Sequence, residues 1–178
     1  LPPAAQALVV LRRNAALLVA PGGSGLRRVA DLRGKKIGVV HDVSSAPTNM
    51  RLLETILAQY DIPQQSANLT PIAPDEAQSA LQSRRVDAIF MVALPQIGPA
   101  SEIVAQIAAS NGKAPIFIPI AEAKAISKRF PALEPAEVVR GAFGGDPPRP
   151  DQPFDSATVA VLLVARPSLE NIVAGEVT

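Results

Sequence analysis

At 178 residues the chain suits one α/β domain with a single buried core, and its 48% hydrophobic content excludes disorder as its overall state. Seventeen basic residues against sixteen acidic ones give a formal net charge of +1 without a basic stripe, and aromatic residues make up only 3%, which together disfavour a nucleic-acid surface or an aromatic carbohydrate groove. The absence of cysteine excludes disulfides, thiolate zinc sites and cysteine nucleophiles.

Apolar runs at Ala7–Leu11 and Ala15–Val19 flank Arg12-Arg13-Asn14, and Pro21-Gly22-Gly23 ends the second run. A short helical turn at Val29–Leu32 stops at Gly34, and Lys36–Val40 reads as a buried strand. The clearest helix runs from Pro47 to Gln59, where Met50, Leu53, Leu57 and Tyr60 recur at spacings of three and four. Pro47 suits a first turn, with Ser44 and Ser45 upstream as caps. Leu69–Ile72 is a short strand candidate. A second helix starts at Asp75, with Gln78 placed to close a capping box. Val86–Val92 reads as a strand buried on both faces apart from Asp87, whose carboxylate is expected to order backbone N–H groups. Ser101 is expected to cap a third helix with the stripe Ile103-Val104-Ile107-Ala108, ended by Asn111-Gly112. A strand at Ile116–Ile120 and a helix at Ala121–Phe130 follow. Residues 131–155 carry six prolines and three glycines and read as a long loop, either functional or a plain connector. Thr158–Val164 closes the domain as an apolar strand.

This alternation predicts an α/β fold, a mixed, mostly parallel sheet with helices on both faces. No segment approaches the roughly 20 apolar residues of a membrane span. Leu1-Pro2-Pro3 is not a signal-peptide start, and without an initiator Met the chain is expected to be a processed product or an excised fragment.

In open α/β sheets ligands collect beyond the carboxyl ends of strands, where helix amino termini offer free N–H groups to an anion. The 40–48 loop is such a place. Ser44, Ser45 and Thr48 are read there as hydroxyl donors to a ligand, with ordinary capping as the alternative. His41, the single histidine, is a hydrogen-bonding candidate; alone and without cysteines it predicts neither a metal site nor catalysis. Met91, Val92, Ala93 and Pro95 form a second candidate wall, with core packing the alternative for Met91 and Val92. Phe143 is a third wall if the Pro/Gly-rich loop folds over the cleft. No cofactor is expected: Pro21-Gly22-Gly23-Ser24-Gly25 is too loose for a dinucleotide fingerprint, and no phosphate loop of the Walker type occurs.

Four pieces of sequence, in order, resemble the TAXI family of solute receptors that serve tripartite (TRAP-type) transporters. They are Val29-Ala30-Asp31-Leu32-Arg33-Gly34-Lys35-Lys36-Ile37-Gly38-Val39, Val86-Asp87-Ala88-Ile89-Phe90 leading to Pro95, Lys128-Arg129-Phe130-Pro131 with Gly141–Gly145, and Asp155–Val161. The chain departs from the family's pattern in two places. His41–Thr48 replaces a glycine-rich loop, and Phe143 stands where a tyrosine is expected. The resemblance implies a type II periplasmic-binding-protein-like lobe, a single domain over 1–178 with hinge strands near 7–19 and 157–165. It further implies a non-enzymatic receptor, periplasmic or otherwise extracytoplasmic and tethered or free. Such a receptor binds a small carboxylate or amino acid and hands it to membrane permease subunits. A competing expectation is the effector-sensing domain of a LysR-type transcriptional regulator, which shares the two-lobed architecture.

Overall fold

A computed structural model describes residues 6–41, 46–94 and 98–165 of the chain. Its elements are β1 (Gln6–Ala20), β2 (Lys36–Val40), α1 (Ala46–Gln59), β3 (Asn68–Ile72), α2 (Ala77–Gln82), β4 (Ala88–Ala93), α3 (Pro99–Asn111), β5 (Ile116–Ile118), α4 (Ala123–Arg129), β6 (Leu133–Val138) and β7 (Phe154–Ala165). Short 3-10 turns lie at Val29–Leu32, Gln64–Ser66 and Pro74–Glu76. No helix among the described residues is long and apolar enough to cross a membrane.

The strands form one mixed sheet in the order β3-β2-β4-β1-β7-β6, with β5 also paired to β1. β2 is parallel to β3 and β4, whereas β1 is antiparallel to β4, β5 and β7, and β6 to β7. Strands β2, β3, β4 and β5 therefore share one direction, with β1 reversed between β4 and β5. The parallel character expected from sequence holds for the β3-β2-β4 ladders. It does not hold for the whole sheet, because β1, β7 and β6 add antiparallel ladders. The fold is a mixed α/β arrangement, one sheet packed between helices.

Helices cover both faces, so the central strands are apolar without interruption. Side chains alternate: Ala16, Leu18, Ala20, Ala88 and Phe90 point to the layer holding Leu53, Ile56 and Leu57 of α1 and Ile126 of α4. Ala15, Leu17, Val19, Ile89 and Met91 point to the layer holding Ala77 and Ala80 of α2 and Ile103, Val104 and Ile107 of α3.

Several local expectations change. The two apolar runs around Arg12-Arg13-Asn14 are one strand, β1, whose outer half pairs with β7 from Gln6↔Ala165 to Ala15↔Thr158. Polar residues are tolerated because this ribbon is open to solvent: Leu11 is 59% exposed, and Arg13 pairs with Glu134 of β6 at 2.8 Å. Register shifts at Ala7/Val9 and Val10/Arg12 accommodate the irregular pattern. β6 lies inside the stretch read as loop. Its Pro135 is tolerated because β6 is the edge strand and needs no N–H there.

The remaining loop, 139–153, is closed by Gly141 N–H to Pro150 O (2.9 Å) and Phe143 N–H to Arg149 O (2.8 Å). In place of the expected Asp75–Gln78 capping box there is half a box two residues earlier, at the head of the 3-10 turn Pro74–Glu76, where Ala73 has no side-chain acceptor of its own. Glu76 accepts the Ala73 N–H at 3.0 Å, with Pro74 in the first turn, while Gln78 donates instead to Gln106 O. α3 starts at Pro99, which places Ser101 inside its first turn, where its Oγ is buried without a hydrogen-bond partner among the described residues rather than capping. Gly112, at φ 64°, ends that helix as expected.

Candidate ligand-binding site

At one pole of the sheet β2 and β4 end side by side while β1 runs past them toward β7. A cavity of about 940 Å³ opens there. Val40 and His41 come from the end of β2 and Met91–Leu94 from the end of β4; Arg12 and Asn14 come from β1, and Val159, Ala160 and Val161 from β7. Thr48, Asn49, Arg51, Leu52 and Thr55 belong to α1, and Pro99, Ala100 and Ile103 to α3. Pro74, Phe130, Ala132 and Leu133 complete the rim.

α1 serves two surfaces through its helical period. Leu53, Ile56 and Leu57 are in the core, while Thr48, Arg51, Leu52 and Thr55, spaced i, i+3, i+4 and i+7, face the cavity. Its first turn is tied to β2 by Asn49, 7% exposed, whose Nδ2 donates to Val40 O at 2.9 Å. The following His41 N–H donates to Ile72 O at 3.2 Å, which holds the start of the connecting loop on β3.

The electrostatics of the lining are one-sided. Arg12 and Arg51 carry positive charge, and no Asp or Glu lines the cavity among the described residues. The first turns of α1 and α3 border the same space with their positive dipole ends. Leu52, Met91, Val92, Ile103 and Val161 supply apolar walls. An anion with an apolar body fits both features. Among the described residues no three His, Asp or Glu side chains gather as a metal site.

Of the residues singled out from sequence, the fold brings His41, Thr48, Met91, Val92 and Ala93 around this cavity. Met91, 2% exposed, also packs into the core. Ser44, Ser45 and Pro95 lie outside the described residues. Phe143 is not a wall. It is 4% exposed and stacks on Phe117 with ring centroids 5.2 Å apart, and Phe117 stacks in turn on Phe154. The loop folds back onto the sheet because burying this aromatic trio outweighs leaving a phenyl ring in an open cleft. Asp87 takes the ordering role expected of it: its Oδ2 accepts the Lys36 N–H at 2.9 Å.

Sequence reasoning missed Arg12, Asn14, Asn49, Arg51 and Thr55. The polar stripe on α1 was a usable signal. Arg12 and Asn14 gave none, because only the pairing of β1 with β7 carries them past the end of β4.

A sequence profile of the NMT1-like family matches residues 5–170. The chain belongs to the NMT1-like family. No curated protein matches the sequence. Among solved structures it is similar to the periplasmic aliphatic sulphonate binding protein SsuA from Escherichia coli, at 24% identity and a TM-score of 0.40 over 58% of this chain and 29% of that one. It is also similar to the substrate-binding protein of an amino acid ABC transporter (16% identity, TM-score 0.39, 85% of this chain and 47% of that one). A third is the holo form of ArgBP from T. maritima (15%, 0.38, 64% and 42%). These are binding proteins, and this NMT1-like chain spans less than half the length of each.

Proposed function

We propose that this chain is the ligand-binding lobe of an extracytoplasmic solute receptor whose cavity holds a small carboxylate or amino acid for a membrane transporter. The observation that carries the reading is the cationic lining: Arg12, Arg51 and two helix amino termini around one apolar-walled space, with no carboxylate among its described residues. The long β1–β7 ribbon serves as the hinge, and a companion lobe covers the exposed Val9, Val10, Leu11 and Val164. The transporter is of the tripartite TRAP type, on the strength of the four sequence pieces that resemble TAXI receptors.

A thermal-shift titration of the full-length protein against small carboxylates, amino acids, alkyl sulfonates and simple amines tests this. A ligand at about 100 times its Kd stabilises the native state by about 2.7 kcal/mol, so the expected result is a dose-dependent rise of several degrees with carboxylates or amino acids. A shift with amines alone, or none with any anion at millimolar concentration, overturns the proposal. A shift confined to sulfonates keeps an anion receptor and replaces its ligand class.

A further inference from the structure

Two asparagines line the cavity, and they are in different states. Asn49 is committed, its Nδ2 bonded to Val40 O. Asn14 also lines the cavity, yet its Oδ1 is shielded from water and has no hydrogen-bond partner among the described residues. A buried acceptor left without a donor costs free energy, so such a group calls for a partner that completes it. Asn14 stands in the middle of β1, opposite Val159 of β7 and next to Ala15, which pairs with both Ala93 and Thr158. Its backbone is therefore fixed by the sheet, and only the side chain adapts. The terminal amide torsion χ2 is broad, so a turn about it presents Oδ1 to the cavity without moving the strand.

Arg12 lies two residues earlier on the same strand and lines the same cavity. At about 3.3 Å per residue their Cα atoms are roughly 7 Å apart, a span that the long guanidinium arm closes over a small molecule. Arginine donates and cannot accept. The Arg12 and Arg51 heads satisfy an anion and leave any N–H or O–H group of the ligand needing an acceptor, and Asn14 Oδ1 is an acceptor needing a donor. Being neutral, the amide adds no repulsion beside a ligand carboxylate, as an aspartate there would.

We infer that Asn14 is a specificity-determining residue that selects anions bearing a nearby N–H or O–H donor, the class of amino acids and hydroxy acids, over anions that lack one. This rests on the reading of the cavity as an anion site.

Calorimetric titration of the full-length protein with matched probes tests it: L-leucine and 2-hydroxy-4-methylpentanoate against 4-methylpentanoate, and L-glutamate and 2-hydroxyglutarate against glutarate. The expected result is binding at least about tenfold tighter for a donor-bearing member of a set than for its donor-free analogue, a ratio well within what a buried hydrogen-bonding group imposes. Asn14→Leu then removes that ratio by weakening the donor-bearing probe, leaves the donor-free probe within about twofold, and does not lower the melting temperature of the unliganded protein. The amino and hydroxy members distinguish an ammonium from a hydroxyl as the donor. Equal affinity within every set, with the donor-free anions still bound, overturns the inference and leaves the anion site standing. The inference also fails if Asn14→Leu weakens both members alike or lowers the unliganded melting temperature, since either marks a structural amide. Failure of every probe to bind removes the anion site and this inference together.

Discussion

Asp87 and Lys36 hold each other through two hydrogen bonds: the Asp87 carboxylate accepts the Lys36 N–H at 2.9 Å, and the Asp87 N–H donates to Lys36 O at 2.7 Å. The pair joins the starts of β2 and β4, the strands whose far ends form the cavity floor. Asp87→Ala leaves the Lys36 N–H without its side-chain acceptor and is expected to cost about 1–2 kcal/mol. Asp87→Asn, which keeps an acceptor oxygen, should lose less. Urea denaturation of the three proteins checks the order, and equal midpoints would show that water replaces the carboxylate without loss.

Gly38 sits in β2 between Thr70 of β3 and Ile89 of β4. A Cβ there would lie 2.6 Å from Ile72 Cδ1, and Ile72 is only 1% exposed. Gly38→Ala is therefore expected to destabilise by about 1–3 kcal/mol through overpacking. Ile72→Val removes the clashing methyl, so the double variant should be more stable than the two single losses add up to, by about 1 kcal/mol. A double-mutant cycle in urea measures this coupling, and strict additivity would place the strain elsewhere.

Arg12 and Arg51 are exposed and have no carboxylate partner among the described residues. Replacing either with Met keeps the apolar stem and removes the charge. Each change should leave unliganded stability within about 0.5 kcal/mol and weaken binding of a carboxylate ligand about 10- to 100-fold, the range of a charge-assisted hydrogen bond. Calorimetry on the full-length protein checks both halves. Unchanged affinity in the double variant would exclude these guanidinium groups as the anion's partners.

Acid stability should depend on two carboxylates that accept backbone N–H groups. Asp31 is held below the usual carboxylate range first by the Arg27 N–H and then by the Arg28 N–H, both at 2.9 Å. Glu76 is lowered first by the Ala73 N–H and then by Arg85. A folded pKa below the unfolded one gives stability that is fully present above the unfolded value of about 4 and is lost as pH falls through the lowered folded value. Asp31→Asn with Glu76→Gln should thus be less stable than the parent at neutral pH and flatter in its fall from about pH 5 to pH 2. Urea midpoints across that range give the comparison, and parallel curves would assign acid unfolding to other groups.

The central layers were readable from sequence wherever both faces of a strand are buried, as in Ala88–Met91, or where a helix carries a clean stripe, as at Leu53 and Leu57. Reading failed where tertiary pairing overrode local pattern. Leu133–Val138 is a strand despite Pro135 because an edge position spares it the missing N–H. Arg12-Arg13-Asn14 continues β1 because β7 supplies its ladder. Phe143 was assigned to the cleft because sequence cannot place Phe117 and Phe154 beside it. For the same reason the cavity's cations went unnoticed, since their meeting depends on a ribbon whose two strands lie more than a hundred residues apart in sequence.

That ribbon has a mechanical consequence. Gln6 pairs with Ala165 at its outer end, so the two strands leave the sheet side by side. Bending or twisting applied at that end is carried by both strands together and falls on the exposed stretch with its two register shifts, before the buried half of β1. A force that pulls the strands apart instead loads their hydrogen bonds one rung at a time, from Gln6–Ala165 inward. The two strands share a bending load but meet a peeling load singly.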